Sequence, residues 1–177
     1  EAGGMIPTSS TTATLALGDA LAIAAMKQKK FDKIDFKKIH PAGSLGSQLK
    51  TVEDLMLTGK KIPFVSENLK MREALKILTK NKLGVLIIQN KKKYTKGIIT
   101  DGQIRRYNEK KLDLLSLNVK KIMTKNPISI NKDALAAKAL ALMNSKKITS
   151  LCVYEKKNKS KTIGILHIHN ILKSNIS

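Results

Sequence analysis

From Val52 onward the apolar and polar positions run in one order, twice. The first copy spans 52–108 and the second 119–173. Each opens on an apolar segment ending in methionine, Val52-Glu53-Asp54-Leu55-Met56 and Val119-Lys120-Lys121-Ile122-Met123. Pro63 and Pro127 then precede short β-prone runs, Phe64-Val65 and Ile128-Ser129-Ile130. Next comes a three-four spacing of apolar residues, Leu69, Ala74, Leu75 and Leu78 in one copy and Leu135, Ala139, Leu140 and Met143 in the other. That spacing predicts a helix packed on one side, with Asn68 and Asn131 as cap or turn residues ahead of it. Two strands follow in each copy, at 84–89 and 94–100 and at 149–154 and 162–167, joined by lysine-rich turns. Closing helices are predicted at 102–110 and 168–173. Gly97 and Gly164 stand 67 residues apart at the head of matching apolar runs.

Each half therefore reads strand, helix, strand, strand, helix, an α+β arrangement. Three short strands with helices on one face leave the other face bare. Two copies packed sheet to sheet cover both bare faces. The repeat thus predicts a pseudo-twofold axis with clefts between the halves, and three regions: 1–48, 49–117 and 118–177. The first region belongs to neither copy. Ala13 to Met26 reads as a helix rich in Ala and Leu, capped by Ser9 or Ser10 and ended by lysines. A second short helix is expected from Phe31 to Ile39. The turn His40-Pro41-Ala42-Gly43-Ser44-Leu45-Gly46 closes the region. Its apolar helix is too small to form a domain and is expected to pack on a partner or on more of a larger protein.

Composition adjusts this picture in a few places. The apolar share of 42% supports a core, and the absence of Trp with only three Phe makes that core aliphatic. The net charge of +21 raises nucleic-acid binding. The lysines fall in short runs at turns and element ends, and stacking aromatics are scarce, so a solvated surface is the better reading. The stretch Thr14 to Met26 is too short to span a bilayer. Cys152, the single cysteine, lies in an apolar run and reads as a buried structural thiol. Cytoplasmic residence fits that cysteine usage.

Candidate chemistry gathers where a strand feeds a helix. Thr100-Asp101-Gly102 and His167-Ile168-His169 occupy the same point of the two copies. Free backbone N–H groups at such junctions hold anions. Thr100, Asp101, Gln103, Arg105, His167, His169 and Asn170 are therefore candidates to line a ligand cleft, with helix capping as the alternative for Thr100 and Asp101. Arg106 can add charge. His167 and His169 lack a third ligand nearby in sequence, so no metal is expected. His40 is different, held in a stiff glycine-proline turn suited to chemistry.

The stretch Pro7-Thr8-Ser9-Ser10-Thr11-Thr12-Ala13-Thr14-Leu15 with Gly18-Asp19-Ala20-Leu21-Ala22 resembles the last helix region of the sugar isomerase (SIS) domain in arabinose 5-phosphate isomerases. His40 to Gly46 resembles the motif that ends that domain. Val52 to Met56, with Thr58-Gly59, is similar to the opening of the family's tandem CBS pair. Gly97 to Gly102 and Gly164 to His169 are similar to its two repeat ends. The resemblance implies a helical remnant of an α/β SIS domain followed by a complete CBS pair. The SIS sheet, its phosphate loop, the catalytic lysine and another histidine are expected upstream, so this stretch alone is expected to be inactive.

The activity implied is interconversion of D-ribulose 5-phosphate and D-arabinose 5-phosphate, which feeds Kdo synthesis for lipopolysaccharide or capsule. No cofactor is implied. The family's histidine falls on His40, and a family glutamate falls on Glu1. The resemblance also implies a tetrameric parent, with a dimer of this region through its CBS pairs. Adenosine-binding CBS modules commonly place an Asp three residues after a Ser or Thr, to hold the ribose. Here Gln103 follows Thr100 and Asn170 follows His167, so neither copy supplies that carboxylate. CMP-Kdo, the activated end product of the implied pathway, becomes the candidate cleft ligand. Two other readings stay open: a stand-alone CBS sensor of a nucleotide or sugar nucleotide, and a structural oligomerisation module.

Overall fold

The computed structural model describes residues 3–32, 35, 36, 39, 49–109, 113–174 and 176. The chain divides into two compact units, Glu1–Leu49 and Lys50–Ser177.

In the first unit, helix α1 (Ser9–Gln28) starts four residues earlier than the apolar run alone predicts. Thr8 is its N-cap residue without a side-chain cap, and Ser9 and Ser10 lie inside the helix. The hydroxyls of Thr11 and Thr12 donate instead to the carbonyls of Pro7 and Thr8. The helix stops where Lys30 turns left-handed (φ 51°) and the Phe31 N–H reaches back to the Met26 carbonyl. No residue of α1 is buried, although Leu15, Leu17, Leu21 and Ile23 lie along it. Of the predicted second helix, Asp35, Phe36 and Ile39 are helical, while residues 33, 34, 37 and 38, and the whole turn from His40 to Gly46, fall outside the described residues.

The second unit holds both repeats. The first contains α2 (Val52–Leu55), β1 (Leu57–Thr58), β2 (Phe64–Ser66), α3 (Met71–Asn81), β3 (Val85–Gln89), β4 (Thr95–Thr100) and α4 (Asp101–Glu109). The second contains α5 (Val119–Ile122), β5 (Thr124–Lys125), β6 (Ser129–Asn131), α6 (Ala136–Lys146), β7 (Ser150–Tyr154), β8 (Gly164–His167) and α7 (Ile168–Leu172). Two four-stranded sheets form, in the orders β2-β3-β4-β5 and β1-β8-β7-β6. The crossover through each helix makes β2–β3 and β6–β7 parallel, and the remaining pairs are antiparallel.

These orders contain an exchange. The opening segment of each repeat leaves its own sheet and closes the other. β1 pairs with β8 of the second repeat, and β5 pairs with β4 of the first. Val52 is correspondingly buried with Ala139, Leu151, Val153 and Leu166 of the second repeat. Val119 and Ile122 are buried with Met71, Leu86, Ile88 and Ile99 of the first. On the surface, Lys132 of the second repeat lies 3.0 Å from Glu53 and 3.4 Å from Glu155. Its hydrogen bonds to these two carboxylates raise its pKa.

Alternation along the strands divides the core into three. Leu86, Ile88 and Ile99 face the helices of the first repeat, and Leu151, Val153 and Leu166 face those of the second. The opposite faces meet in a central layer of Ile62, Val85, Ile87, Cys152 and Ile165. Cys152 is 2% exposed, and burial pushes its thiol up to about 11, against a smaller downward pull from Thr162. The single thiol is thus structural, held between the two sheets.

Of the two roles the sequence leaves open for Asn68 and Asn131, cap or turn, neither residue takes the cap: Asn68 lies in the turn ahead of α3 and Asn131 ends β6. The N-cap positions are Lys70 and Leu135, neither with a side-chain cap. The cap is backbone borrowed across the repeats. The Met71 N–H donates to the Leu117 carbonyl and the Ala136 N–H to the Lys50 carbonyl, each at 2.8 Å. The buried faces are Met71, Ala74 and Leu78 in α3 and Ala136, Ala139 and Met143 in α6.

Candidate functional site

Where β3 and β7 begin and β4 and β8 end, the second unit opens a cleft of about 710 Å³. That volume is in the range of small-molecule sites. Its wall is built from matched positions of the two repeats. Lys82 and Lys147 are the left-handed residues ending α3 and α6 (φ 53° and 52°). Leu83 and Ile148 follow them, then Gly84 and Thr149. Thr100 and His167 end the outgoing strands, and Gly102 and His169 begin the next helices. The same backbone frame thus lines the cleft twice.

Gly84 is a position where glycine is required. Its φ is +63°, and a Cβ there would stand 2.8 Å from the Asp101 carboxylate. The Asp101 N–H donates to the Gly84 carbonyl at 3.1 Å, and the Ile168 N–H donates to the Thr149 carbonyl at 2.9 Å in the other repeat. These bonds fix each strand-to-helix junction against the neighbouring strand.

Of the seven residues the sequence nominates for the cleft, Thr100, Asp101, Gln103, Arg105, His167 and His169 line it, as does Arg106. Asn170 does not. The difference from its counterpart Gln103 has a local cause. The Gln103 side-chain carbonyl accepts the Thr100 N–H at 3.0 Å, and its amide donates to the Thr124 hydroxyl at 2.5 Å. The position equivalent to Thr124 is Leu57, which offers no hydroxyl to hold an amide. Gln103 therefore serves as a clasp from α4 to β5.

The two histidines do not share a strand face, because His167 ends β8 while His169 lies in α7. Their rings nevertheless stack, with centroids 5.0 Å apart. The His169 N–H donates to His167 Nδ1 at 3.2 Å, which assigns the His167 proton to Nε2. Burial, and then the neighbouring His169, lower the His167 pKa. Among the described residues, no group of three or more His, Cys, Asp or Glu side chains could hold a metal ion.

Lys82, Lys147, Arg105 and Arg106 give the cleft four fixed positive charges against the carboxylate of Asp101. Such a cleft suits an anion. Sequence reasoning missed Lys82, Lys147, Thr149 and Ser150. The repeat register carried a signal for them, since each lies at or just before the start of a predicted strand. Glu1 and His40, the residues nominated for catalysis, lie outside the described residues. No helix among the described residues is long and apolar enough to cross a membrane.

A family model described as "CBS domain" matches residues 52–110 and 119–176. Among curated proteins, the chain is 39% identical over 174 residues to arabinose 5-phosphate isomerase KdsD of Yersinia pestis. It is 40% identical over 174 residues to the protein of the same name from Escherichia coli K12. Each alignment covers 98% of this chain and 52% of the relative. The chain thus spans about half the length of these relatives, corresponding to their CBS-containing C-terminal part. Among solved structures, CBSX2 of Arabidopsis thaliana in complex with AMP superposes with a TM-score of 0.62 at 22% identity, over 71% of this chain and 95% of that one.

Proposed function

The chain belongs to the CBS-domain family, and from that premise we propose that it is the regulatory region of an arabinose 5-phosphate isomerase. One observation carries this reading. CBS pairs serve many protein classes, but the similarity to the isomerases covers 98% of the chain and so includes most of the fifty residues before the first repeat. A CBS pair on another kind of protein has no reason to share that stretch. In this reading 1–48 is the end of the SIS domain, 49–117 and 118–177 are the two CBS domains, and the intact protein works in the cytoplasm. It interconverts D-ribulose 5-phosphate and D-arabinose 5-phosphate, with His40 and Glu1 in proton transfer. The test is an isomerase assay on the full-length parent. No conversion of arabinose 5-phosphate sinks the reading.

The regulatory part of the proposal rests on the basic cleft. It receives a phosphorylated metabolite, and binding shifts the parent between two states of different affinity. CBSX2 was solved with AMP, which makes AMP the reference ligand. Two features favour another choice here. Neither repeat supplies a ribose-binding carboxylate, and the Gln103 amide is already committed to Thr124. CMP-Kdo, the end product of the implied pathway, matches the cleft's charge through its phosphate and carboxylate. Calorimetric titration with CMP-Kdo and AMP decides between them, tight AMP binding without CMP-Kdo binding reversing the choice. Paired repeats also support self-association into a dimer, and a tetramer of the parent. A monomer by light scattering at high micromolar concentration contradicts the dimer.

A further inference from the structure

We propose that two lysine-rich turns, at the end of the sheets far from the cleft, together form a docking surface for an anionic lipid bilayer, with Tyr94 seated at headgroup level. The proposal does not depend on the cleft taking a ligand.

In the sequence these lysines stand in separate turns, and the fold puts the turns side by side. The first turn joins β3 to β4 and the second joins β7 to β8. They meet where the Thr95 N–H donates to the Ser160 carbonyl at 2.9 Å. Lys91 to Lys93 and Lys96 come from the first turn, and Lys156, Lys157, Lys159 and Lys161 from the second. Eight of the fourteen residues in 90–96 and 155–161 are thus lysine, against 34 Lys and Arg in all 177, so the charge here is well above the chain's average. All eight are exposed. Among the described residues none of them is in an ion pair. The one acid in the two turns, Glu155, is engaged by Lys132 at 3.4 Å.

Each turn also holds its own shape. The Asn90 side-chain carbonyl accepts the Tyr94 N–H, and the Asn90 backbone carbonyl accepts the Lys93 N–H, both at 2.9 Å. In the second turn the Asn158 N–H donates to the Glu155 carbonyl at 2.8 Å and the Lys161 N–H to the Asn158 carbonyl at 3.2 Å. The ammonium groups stand on ordered backbone, so docking costs little chain entropy.

The chemistry selects the partner. A second copy offers no complement, since the chain carries 13 acidic residues against 34 basic ones. Hairpin turns stand beyond the strand ends, which suits a flat partner better than a threaded one. All eight cations are lysines, point charges without the guanidinium fork that reads base edges. The diffuse negative potential of a lipid leaflet is satisfied by point charges. Tyr94, 39% exposed among the lysines of the first turn, adds an amphipathic ring of the kind favoured at headgroup level. It is the only aromatic in the two turns, so no stacking run for single-stranded nucleic acid is present there. The turns contain no Leu, Ile, Val, Met or Phe, so the contact is with the surface of the bilayer and not its interior.

The test is flotation of the whole chain with phosphatidylcholine vesicles containing about 30% phosphatidylglycerol, at the salt where exposed charges act over about 8 Å. Vesicles of phosphatidylcholine alone and a duplex DNA are the comparison probes. The chain is expected to bind the anionic vesicles, to ignore the neutral ones, and to be released as salt rises to about 1 M. A lysine close to an anionic leaflet is worth about fivefold in affinity, so K91Q/K92Q/K156Q/K157Q weakens binding by about twentyfold or more with only half of the four in contact. K60Q/K76Q/K80Q/K138Q removes the same charge from exposed positions elsewhere and changes binding by less than about threefold. Y94A weakens vesicle binding and leaves DNA binding as it was. Circular dichroism establishes that each variant is folded. Equal losses in the two quadruple variants overturn the docking surface and leave only diffuse net charge. Tighter binding to DNA than to anionic vesicles, through the same lysines, overturns the choice of partner. Unchanged vesicle binding by Y94A overturns the seating of the ring. No binding of anionic vesicles by the folded wild type overturns the whole proposal.

Discussion

Thr95 and Thr162 meet hydroxyl to hydroxyl at 2.7 Å, and they are the same position of the two repeats, 67 residues apart. Equivalent residues can touch only beside the axis that relates them, so this pair marks the pseudo-twofold. The contact is not itself symmetric, because the buried Thr162 N–H also donates to the Thr95 hydroxyl at 3.1 Å. Thr95→Val therefore leaves a buried donor without its acceptor and is expected to cost about 1–3 kcal/mol. Thr162→Val removes only the hydroxyl and should cost less. Urea unfolding of both variants, with Thr95→Ser as the rescue, checks this. A Thr95→Val loss no larger than that of Thr162→Val contradicts the assignment.

The glycines that open the apolar runs of β4 and β8, Gly97 and Gly164, are explained by the exchanged segments. A Cβ on Gly97 would stand 2.7 Å from both Met123 Sδ and the Thr124 carbonyl oxygen. One on Gly164 would meet Met56 Sδ and lie 3.2 Å from the Leu57 carbonyl. Gly97→Ala and Gly164→Ala should each destabilise by about 1–3 kcal/mol, the range for overpacking a tight core. Gly18→Ala in α1 meets nothing within 4 Å. It is expected to favour its helix by about 1 kcal/mol. Thermal melts of the unit and helix content by circular dichroism separate the two outcomes, and Gly97→Ala melting like wild type removes the explanation.

A single repeat should fail to fold. A polypeptide of residues 50–117 keeps β2, β3 and β4 but loses Val119, Ile122 and β5, which complete its core and sheet. It also carries Val52 and β1 with no second repeat to receive them. The expected outcome is a non-cooperative unfolding curve for 50–117 and a cooperative one for 50–177. Cooperative unfolding of the short piece as a monomer would show that the exchange is dispensable.

Acid should loosen the second repeat through His167. Its folded pKa lies below the ordinary value of 6.5, chiefly because of burial. The unfolded chain therefore binds the proton first as pH falls, so this contribution is complete above about 6.5 and declines below it. Protonating Nδ1 also ends its bond to the His169 N–H. His167→Gln, which keeps an acceptor but does not titrate, should reduce the fall in Tm between pH 7.5 and 5.5. Identical falls in both proteins would exclude His167 as the cause.

For the full-length parent, His40→Ala is expected to lower turnover by about 10²–10⁴-fold with little change in Tm, as loss of a proton-transfer group does. The motivation is the sequence His40-Pro41-Ala42-Gly43 and its family resemblance. Unchanged turnover would make it a structural histidine.

The sequence by itself determined the repeat, the strand-helix-strand-strand-helix run within each half and the packing of sheet on sheet, but not the short helix and strand that open each half, α2–β1 and α5–β5. The first three follow from local periodicity, which is written in neighbouring residues: Leu86 and Ile88 alternate with Val85 and Ile87, and Met71, Ala74 and Leu78 follow helical spacing. It also placed Thr100 and His167 at one point of the repeat, and so located the cleft. Tertiary structure alone decided which sheet each opening segment joins. Val52 and Val119 look identical in pattern whether they stay at home or cross over, because burial in either core satisfies the same apolar side chain. The caps followed from that choice, since Met71 and Ala136 find their acceptors on Leu117 and Lys50, about 46 and 86 residues away along the chain. So did the separation of Gln103 from Asn170: only one of them found a hydroxyl opposite, because Thr124 and Leu57 hold equivalent places in strands that had exchanged sheets.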